Sequence, residues 1–237
     1  MTQLAAQTVL VTGANRGLGR EFVRQLLDRD VAKIYAAARN PRTIDAADPR
    51  VVPLELDVTD AASVARAAEI TQDVSVLINN AGIAQAASVL NPDTSTLRRE
   101  LETNLFGPLA LTSALADRLV DRSGAVVNVA SVVSWIALGG SYGVSKAALW
   151  SATDSMRTEL APRGVQVVGV YVGYVDTDLA AGVQAPKSDP ADVIRQVLDG
   201  VEAGDVEVLA DETSRVVRAH LHEPIQAQLA RLAPVDA

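Results

Sequence analysis

Short apolar runs recur along this chain, each followed by a longer amphipathic stretch. TVLVTG, KIYAAAR, VVPLELDV, VSVLINNAG, GAVVNVAS and VQVVGVYVG are rich in Val, Leu and Ile on both faces, as strands are when helices cover both sides of a parallel sheet. Amphipathic segments near Gly17–Arg29, Ala61–Ile70, Thr96–Val120, Tyr142–Ala161 and Pro190–Ala203 read as the intervening helices. A weaker strand, Val206–Ala210, precedes a last helix running to about Leu232. This repetition predicts an α/β chain: a single-domain Rossmann fold with a doubly wound, seven-stranded parallel sheet and helices on both faces. One crossover is thin. Only Asn40–Arg50, interrupted by Pro41 and Pro49, link the second and third strands, which leaves room for one turn of helix.

No repeat, low-complexity tract or Pro/Gly-rich linker divides the 237 residues, so 1–237 is expected to form one domain. With 49% apolar residues the chain can bury a substantial core. A net charge of −8 argues against nucleic acid and against an anionic membrane surface as partners, since both need a basic face. The chain has no Cys, which excludes disulfides, thiol catalysis and thiolate metal sites. His220 and His222 lie two apart in a stretch that reads as surface helix, so no metal site is expected. The N-terminal apolar run is short and lacks a basic region before it, and no segment has the length of a bilayer span. A cytoplasmic protein is the expectation.

Thr12-Gly13-Ala14-Asn15-Arg16-Gly17-Leu18-Gly19 follows the first strand and opens the first helix. Glycines there allow a tight turn and bring backbone N–H groups to a pyrophosphate at the positive end of a helix. The G-x-x-x-G-x-G spacing, in the first strand–helix unit, points to a dinucleotide. At the end of the second strand an NAD site places an acid for the ribose 2′-OH. Here Ala38-Arg39 stand instead, and Arg16 lies in the turn. Two guanidinium groups with no competing carboxylate suit a 2′-phosphate, so the cofactor expected is NADP.

Tyr142 and Lys146 are four apart at the start of a helix and share a face. A free phenol has a pKa near 10, and an ammonium about 4 Å away at an effective dielectric of about 20 contributes roughly 4 kcal/mol, or about 3 pKa units. On that reasoning Lys146 is expected to bring Tyr142 toward neutrality as an acid or base. Such a pair is common by chance, but its companions are not. With the glycine turn, Asn79-Asn80-Ala81-Gly82 after the fourth strand, Asn104 in a helix and Ser131 ending the fifth strand, the chain resembles the short-chain dehydrogenase/reductase family from about Thr8 to Leu179.

The resemblance implies a role for each matching residue. Tyr142 is the acid/base, Lys146 holds the nicotinamide ribose and lowers the tyrosine pKa, Ser131 positions the substrate oxygen, and Asn104 supports a water in the proton relay. Gly13, Asn15, Arg16, Gly17, Leu18, Gly19 and Arg39 bind the phosphates. Asp57 and Val58 cradle adenine; Asn80, Ala81 and Gly82 line the adenosine ribose. Val175 and Thr177 meet the nicotinamide carboxamide. The implied activity is NADPH-dependent reduction of a ketone or aldehyde, reversibly an alcohol dehydrogenase, by a homodimer or homotetramer. A non-catalytic NADP sensor, or an epimerase, dehydratase or imine-reducing relative using the same site, are the alternatives. The chain departs from the family pattern where Val172-Gly173 replaces Pro-Gly, which is expected to loosen the nicotinamide loop, and in a short Ser131–Tyr142 interval. The substrate pocket is expected to be apolar or aromatic, built from Trp135, Ile136, Leu138, Tyr174 and Leu179, under a lid at about 178–205.

Overall fold

The computed structural model describes residues 2–91 and 93–232. Its strands are β1 (Thr8–Thr12), β2 (Lys33–Ala38), β3 (Val51–Glu55), β4 (Val76–Asn79), β5 (Ala125–Val129), β6 (Gln166–Tyr171) and β7 (Glu207–Leu209). They form one sheet in the order β3-β2-β1-β4-β5-β6-β7, with every pairing parallel. The order reverses between β1 and β4, which opens a crevice at the carboxyl ends of the strands, where doubly wound folds bind ligands.

Alternate residues of each strand feed two cores. Val9, Val11, Val76, Ile78, Val168 and Val170 face one side, where α1 (Gly17–Asp28) and α6 (Pro190–Ala203) cover them with Phe22, Leu26, Val193, Val197 and Val201. Leu10, Leu77, Val126 and Val167 face the other. There α2 (Ala61–Ile70), α4 (Gly107–Asp121) and α5 (Gly140–Leu160) supply Val64, Ala67, Leu111, Leu115, Leu119, Met156 and Leu160. This two-sided burial is why the strands read as near-continuous apolar runs. Pro53 is tolerated in β3 because β3 is an edge strand, paired with β2 alone. The thin crossover holds a single 3₁₀ turn, Pro41–Thr43, capped by Asn40, whose side-chain oxygen accepts from Arg42 N–H.

Three expected boundaries are corrected. The segment Thr96–Val120 is not one α-helix: α3 (Ser95–Leu101) runs into a π-helical turn, Glu102–Phe106, before α4. That wider turn faces Asn104 inward, a local irregularity often found beside functional sites. The last helix divides into α7 (Glu212–Ala219) and α8 (Ile225–Leu232). His220 and His222 lie in the break between these helices, ahead of Pro224. The lid expected at about 178–205 is too long. Asp189 caps α6 by accepting from Ala191 and Asp192 N–H, and α6 buries its apolar face in the core, so the irregular segment ends at Asp189.

Candidate active site

One threonine organises the crevice. The Thr12 hydroxyl, at the end of β1, donates to the Ile78 carbonyl at 3.3 Å and accepts from the N–H groups of Asn80 (3.0 Å) and Ala81 (2.9 Å). Asn80 returns the contact, donating from Nδ2 to the Thr12 carbonyl at 2.8 Å. The carboxyl ends of the two central strands are thereby locked together. Between them the glycine turn crosses to α1 with positive φ at Gly13 (65°) and Gly17 (51°). At Gly19 a Cβ would lie 2.0 Å from the Gly13 carbonyl oxygen, so no other residue fits this turn.

Asn15, Arg16, Leu18, Arg39, Asp57, Val58, Asn80, Ala81 and Gly82 line the same crevice as these glycines. Hydrogen bonds from the Thr59 hydroxyl and N–H, and more weakly the charge of Arg39, hold the Asp57 carboxyl below its usual range against the opposing effect of burial. Val58 packs on Gly107 at the start of α4, where a Cβ would come within 2.9 Å of it. Arg16 reaches across the mouth to Asp178, 3.7 Å away, in an exposed ion pair.

At the other end of the crevice, Ser131, Tyr142 and Lys146 converge. Ser131 follows β5, and its hydroxyl lies between the Val172 carbonyl (3.2 Å) and the Tyr142 phenol. Tyr142 and Lys146 come from the first turns of α5, with the ammonium 5.8 Å from the phenol ring centre. Asn104 does not line the crevice. It is fully buried behind it, where its oxygen accepts from Ile83 N–H (3.0 Å) and its nitrogen donates to the Ile83 carbonyl and the Ser145 hydroxyl (both 2.9 Å). Ser134, the other serine after β5, is spent on the Lys146 carbonyl at 3.0 Å.

The titration expected of the pair is overturned in the chain by itself. Burial pushes the Tyr142 phenol up to about 12, against a lowering hydrogen bond with Ser131, and the Glu100 carboxylate adds to the rise. Burial brings Lys146 down to about 8. The ammonium donates to the Val129 carbonyl at 2.7 Å, and removal from water is the leading cause of both shifts.

The walls beyond Tyr142 are apolar. Leu138, Tyr174 and Leu179 are more than half exposed at the crevice, with Ile136 buried behind them. Trp135 is not among them. It stacks on Tyr171 at 4.1 Å and meets Trp150 edge-on at 6.1 Å, inside the fold. Val175 and Thr177 line the crevice, and the segment that carries them is held by hydrogen bonds at its start. Val172 is buried, and its carbonyl accepts from the Ser131 hydroxyl and from Val132 N–H. Gly173 N–H donates to Asp211 at 2.6 Å.

The site also contains residues that sequence reasoning passed over. Thr12 stood in the glycine motif without a role. Glu100 looks like a solvated helix residue, yet it is fully buried, and its Oε1 accepts from Gln85 N–H (2.7 Å) and Ala86 N–H (3.1 Å). Asp211 and Ser214 form a capping box, a legible helix start, but the contact with Gly173 spans the fold. Among the described residues no group of His, Asp and Glu is placed to hold a metal, and no helix is long and apolar enough to cross a membrane.

The crevice holds about 1580 Å³, beyond the roughly 300–1,000 Å³ of an ordinary small-molecule pocket. Its glycine cradle, which a Cβ would fill, lies at one side and an apolar chamber with a phenol, a hydroxyl and an ammonium at the other. These residues fit a dinucleotide and a small substrate together.

Known proteins share this arrangement. The short chain dehydrogenase family model matches residues 7–188. A ketoacyl reductase of Nostoc sp. is 32% identical over 233 residues, covering 90% of this chain and 81% of its own length. A short chain dehydrogenase from Burkholderia cenocepacia, solved in complex with NADP, is 37% identical with a TM-score of 0.92, and the match covers 98% of this chain and 99% of that one. Another from Sphingobium yanoikuyae, in complex with NADPH, is 25% identical with a TM-score of 0.80 and covers 98% of each chain. The matched span takes in the glycine turn, Ser131, Tyr142 and Lys146, and the chain belongs to the short-chain dehydrogenase family, oxidoreductases that act on the CH–OH/C=O couple.

Proposed function

We propose that this chain is an NADPH-dependent reductase of apolar or aromatic ketones and aldehydes, working reversibly as an alcohol dehydrogenase. The observation that carries the reading is the convergence of the Ser131 hydroxyl, the Tyr142 phenol and the Lys146 ammonium in the crevice that the glycine turn opens. Bound there, NADPH supplies the hydride for a carbonyl carbon.

The protein places and polarises. Ser131 and Tyr142 donate hydrogen bonds to the carbonyl oxygen, where negative charge develops during reduction. Burial keeps the phenol protonated at neutral pH, so Tyr142 enters the reaction as an acid and gives its proton to that oxygen. Lys146 stands beside the ring and offsets the negative charge left on the phenolate. Asn104 holds Ile83 and the helix that carries both residues. Gly13, Asn15, Gly17, Leu18 and Gly19 receive the pyrophosphate; Asp57, Val58, Asn80, Ala81 and Gly82 surround the adenosine; Val175 and Thr177 face the nicotinamide. Arg39, with no acid at the end of β2, and Arg16 receive the 2′-phosphate. The solved relative from Burkholderia cenocepacia in complex with NADP supports this cofactor.

Leu138, Tyr174 and Leu179 give the substrate an apolar chamber, lined further by the segment 178–189. Exposed Phe106 and Val144, on the π-helical turn and on α5, support self-association through these helices as a homodimer or homotetramer. The test is NADPH consumption against a panel of ketones, aldehydes and imines, for the wild type and for Tyr142→Phe. The variant should bind NADPH normally and lose about 10²–10⁴-fold in kcat; turnover near the wild-type rate refutes the assignment.

A further inference from the structure

The segment that leaves β6 toward the nicotinamide side of the crevice is gripped from two directions. On the β5 side, Val132 N–H (3.0 Å) and the Ser131 hydroxyl (3.2 Å) both donate to the Val172 carbonyl. On the β7 side, Ala210 N–H donates to the Tyr171 carbonyl at 2.9 Å, extending the ladder by one residue. The next residue, Asp211, turns its carboxylate back. Its two oxygens are divided: Oδ1 accepts from Ser214 N–H at 2.7 Å and caps α7, while Oδ2 accepts from Gly173 N–H at 2.6 Å. Hydrogen bonds from an N–H to an ionised acceptor are short and roughly twice as strong as neutral ones. Asp211, Glu212 and Thr213 also line the crevice, so the start of α7 belongs to its wall.

A helix cap needs one carboxylate oxygen. The second is spent on a peptide 38 residues earlier, between a buried Val172 and the exposed Tyr174 that leads to Val175 and Thr177. Glycine at 173 leaves the backbone there without side-chain restraint. Tightness at this point therefore comes from outside the segment.

We propose that Asp211 is a positioning residue for the nicotinamide end of the crevice, setting the course of residues 172–177 through its bond to Gly173. The inference rests on the reading that the nicotinamide lies against Val175 and Thr177. It makes the C-terminal α7 part of the cofactor site, although α7 lies outside the span that matches the family model.

The divided carboxylate gives a test with opposite outcomes for capping and positioning. Asp211→Asn retains one acceptor oxygen, enough for the cap, and presents an NH₂ to Gly173. Ser214→Ala removes the reciprocal arm of the capping box, in which its hydroxyl accepts from Asp211 N–H at 3.3 Å, and leaves the Gly173 contact intact. Affinities for NADPH and for 2′,5′-ADP, which lacks the nicotinamide half, are measured by calorimetry beside Tm. Asp211→Asn and Asp211→Ala should bind 2′,5′-ADP like the wild type and NADPH at least fivefold more weakly. Ser214→Ala should lower Tm and leave both affinities unchanged. NADPH affinity within twofold of the wild type in both Asp211 variants overturns the proposal, as does an equal loss of both ligands. A wild type that binds neither ligand overturns the cofactor reading itself, and this inference with it.

Discussion

The side-chain amide of Asn104 donates to the hydroxyl of Ser145 at 2.9 Å, tying the π-helical turn to α5 one residue before Lys146. The same amide pairs with both backbone groups of Ile83, so its donor and acceptor ends each have a fixed partner.

Replacing Asn104 by Asp changes almost no volume and reverses that polarity at the donor end. A carboxylate oxygen would face the Ile83 carbonyl at the position now 2.9 Å away, in a site with no solvent exposure. Asn104→Asp should lower stability by about 3–5 kcal/mol, the range for an uncompensated buried charge. Urea unfolding measures it; a loss below about 1 kcal/mol contradicts the arrangement.

Lys146 and Tyr142 should give the cofactor-free chain opposite pH dependences. Lys146 falls from 10.5 to about 8 on burial. Below about 8 the ammonium is present in both folded and unfolded chains and its burial penalty is constant; above it the unfolded chain binds the extra proton, and stability rises with pH toward 10.5. Tyr142, raised from 10.0 to about 12, stabilises fully below pH 10 and loses that contribution as pH climbs through about 12. Between pH 7 and 9.5 the wild type should therefore gain roughly 2 kcal/mol relative to Lys146→Met. A pH-independent difference between the two would rule this out.

Gly19→Ala should abolish cofactor binding, because its Cβ would lie 2.0 Å from the Gly13 carbonyl oxygen and must displace the turn. Titration of NADPH fluorescence should show at least a hundredfold loss of affinity. Retained affinity would mean that the dinucleotide sits elsewhere.

Arg39→Ser should lower kcat/KM for NADPH by about 10–100-fold, the worth of one charge-assisted hydrogen bond, and leave NADH unaffected. Arg16→Ala should act in the same direction with a smaller effect, since Arg16 is already shared with Asp178. Steady-state kinetics with both cofactors decide it: comparable values for NADH and NADPH in the wild type refute the 2′-phosphate assignment.

What could be read in advance follows from the range of each interaction. Strand positions were legible because Val9–Val11 or Val167–Val170 are apolar on both faces, which only a covered sheet requires. The glycine turn and the Tyr142–Lys146 pair were legible because their geometry is set within a few residues. The π-helical turn at Glu102–Phe106 left no trace, since its residues suit an α-helix equally well. Glu100 and Asp211 were passed over for a related reason: a carboxylate on or at the start of an amphipathic helix normally faces water, and here Glu100 holds two backbone N–H groups of a preceding loop and Asp211 holds that of Gly173. Trp135 was assigned to the pocket by proximity to Ser131, but its partners Tyr171 and Trp150 come from β6 and α5. The direction of the Tyr142 shift was missed because an i, i+4 spacing reports closeness and says nothing of lost water.

The exclusively parallel sheet also governs how such a chain reaches its folded state. No strand can pair with its successor through a hairpin, and the central partners, Val9 on β1 and Val76 on β4, are separated along the chain by α1, β2, β3 and α2. Closing those long loops precedes most of the stabilising contact, so folding should be slow for the size of the chain. Thr12, Asn80 and Ala81, which weld β1 to β4, stand on one of these long-range joints, so the crevice exists only where the sheet's two halves are joined.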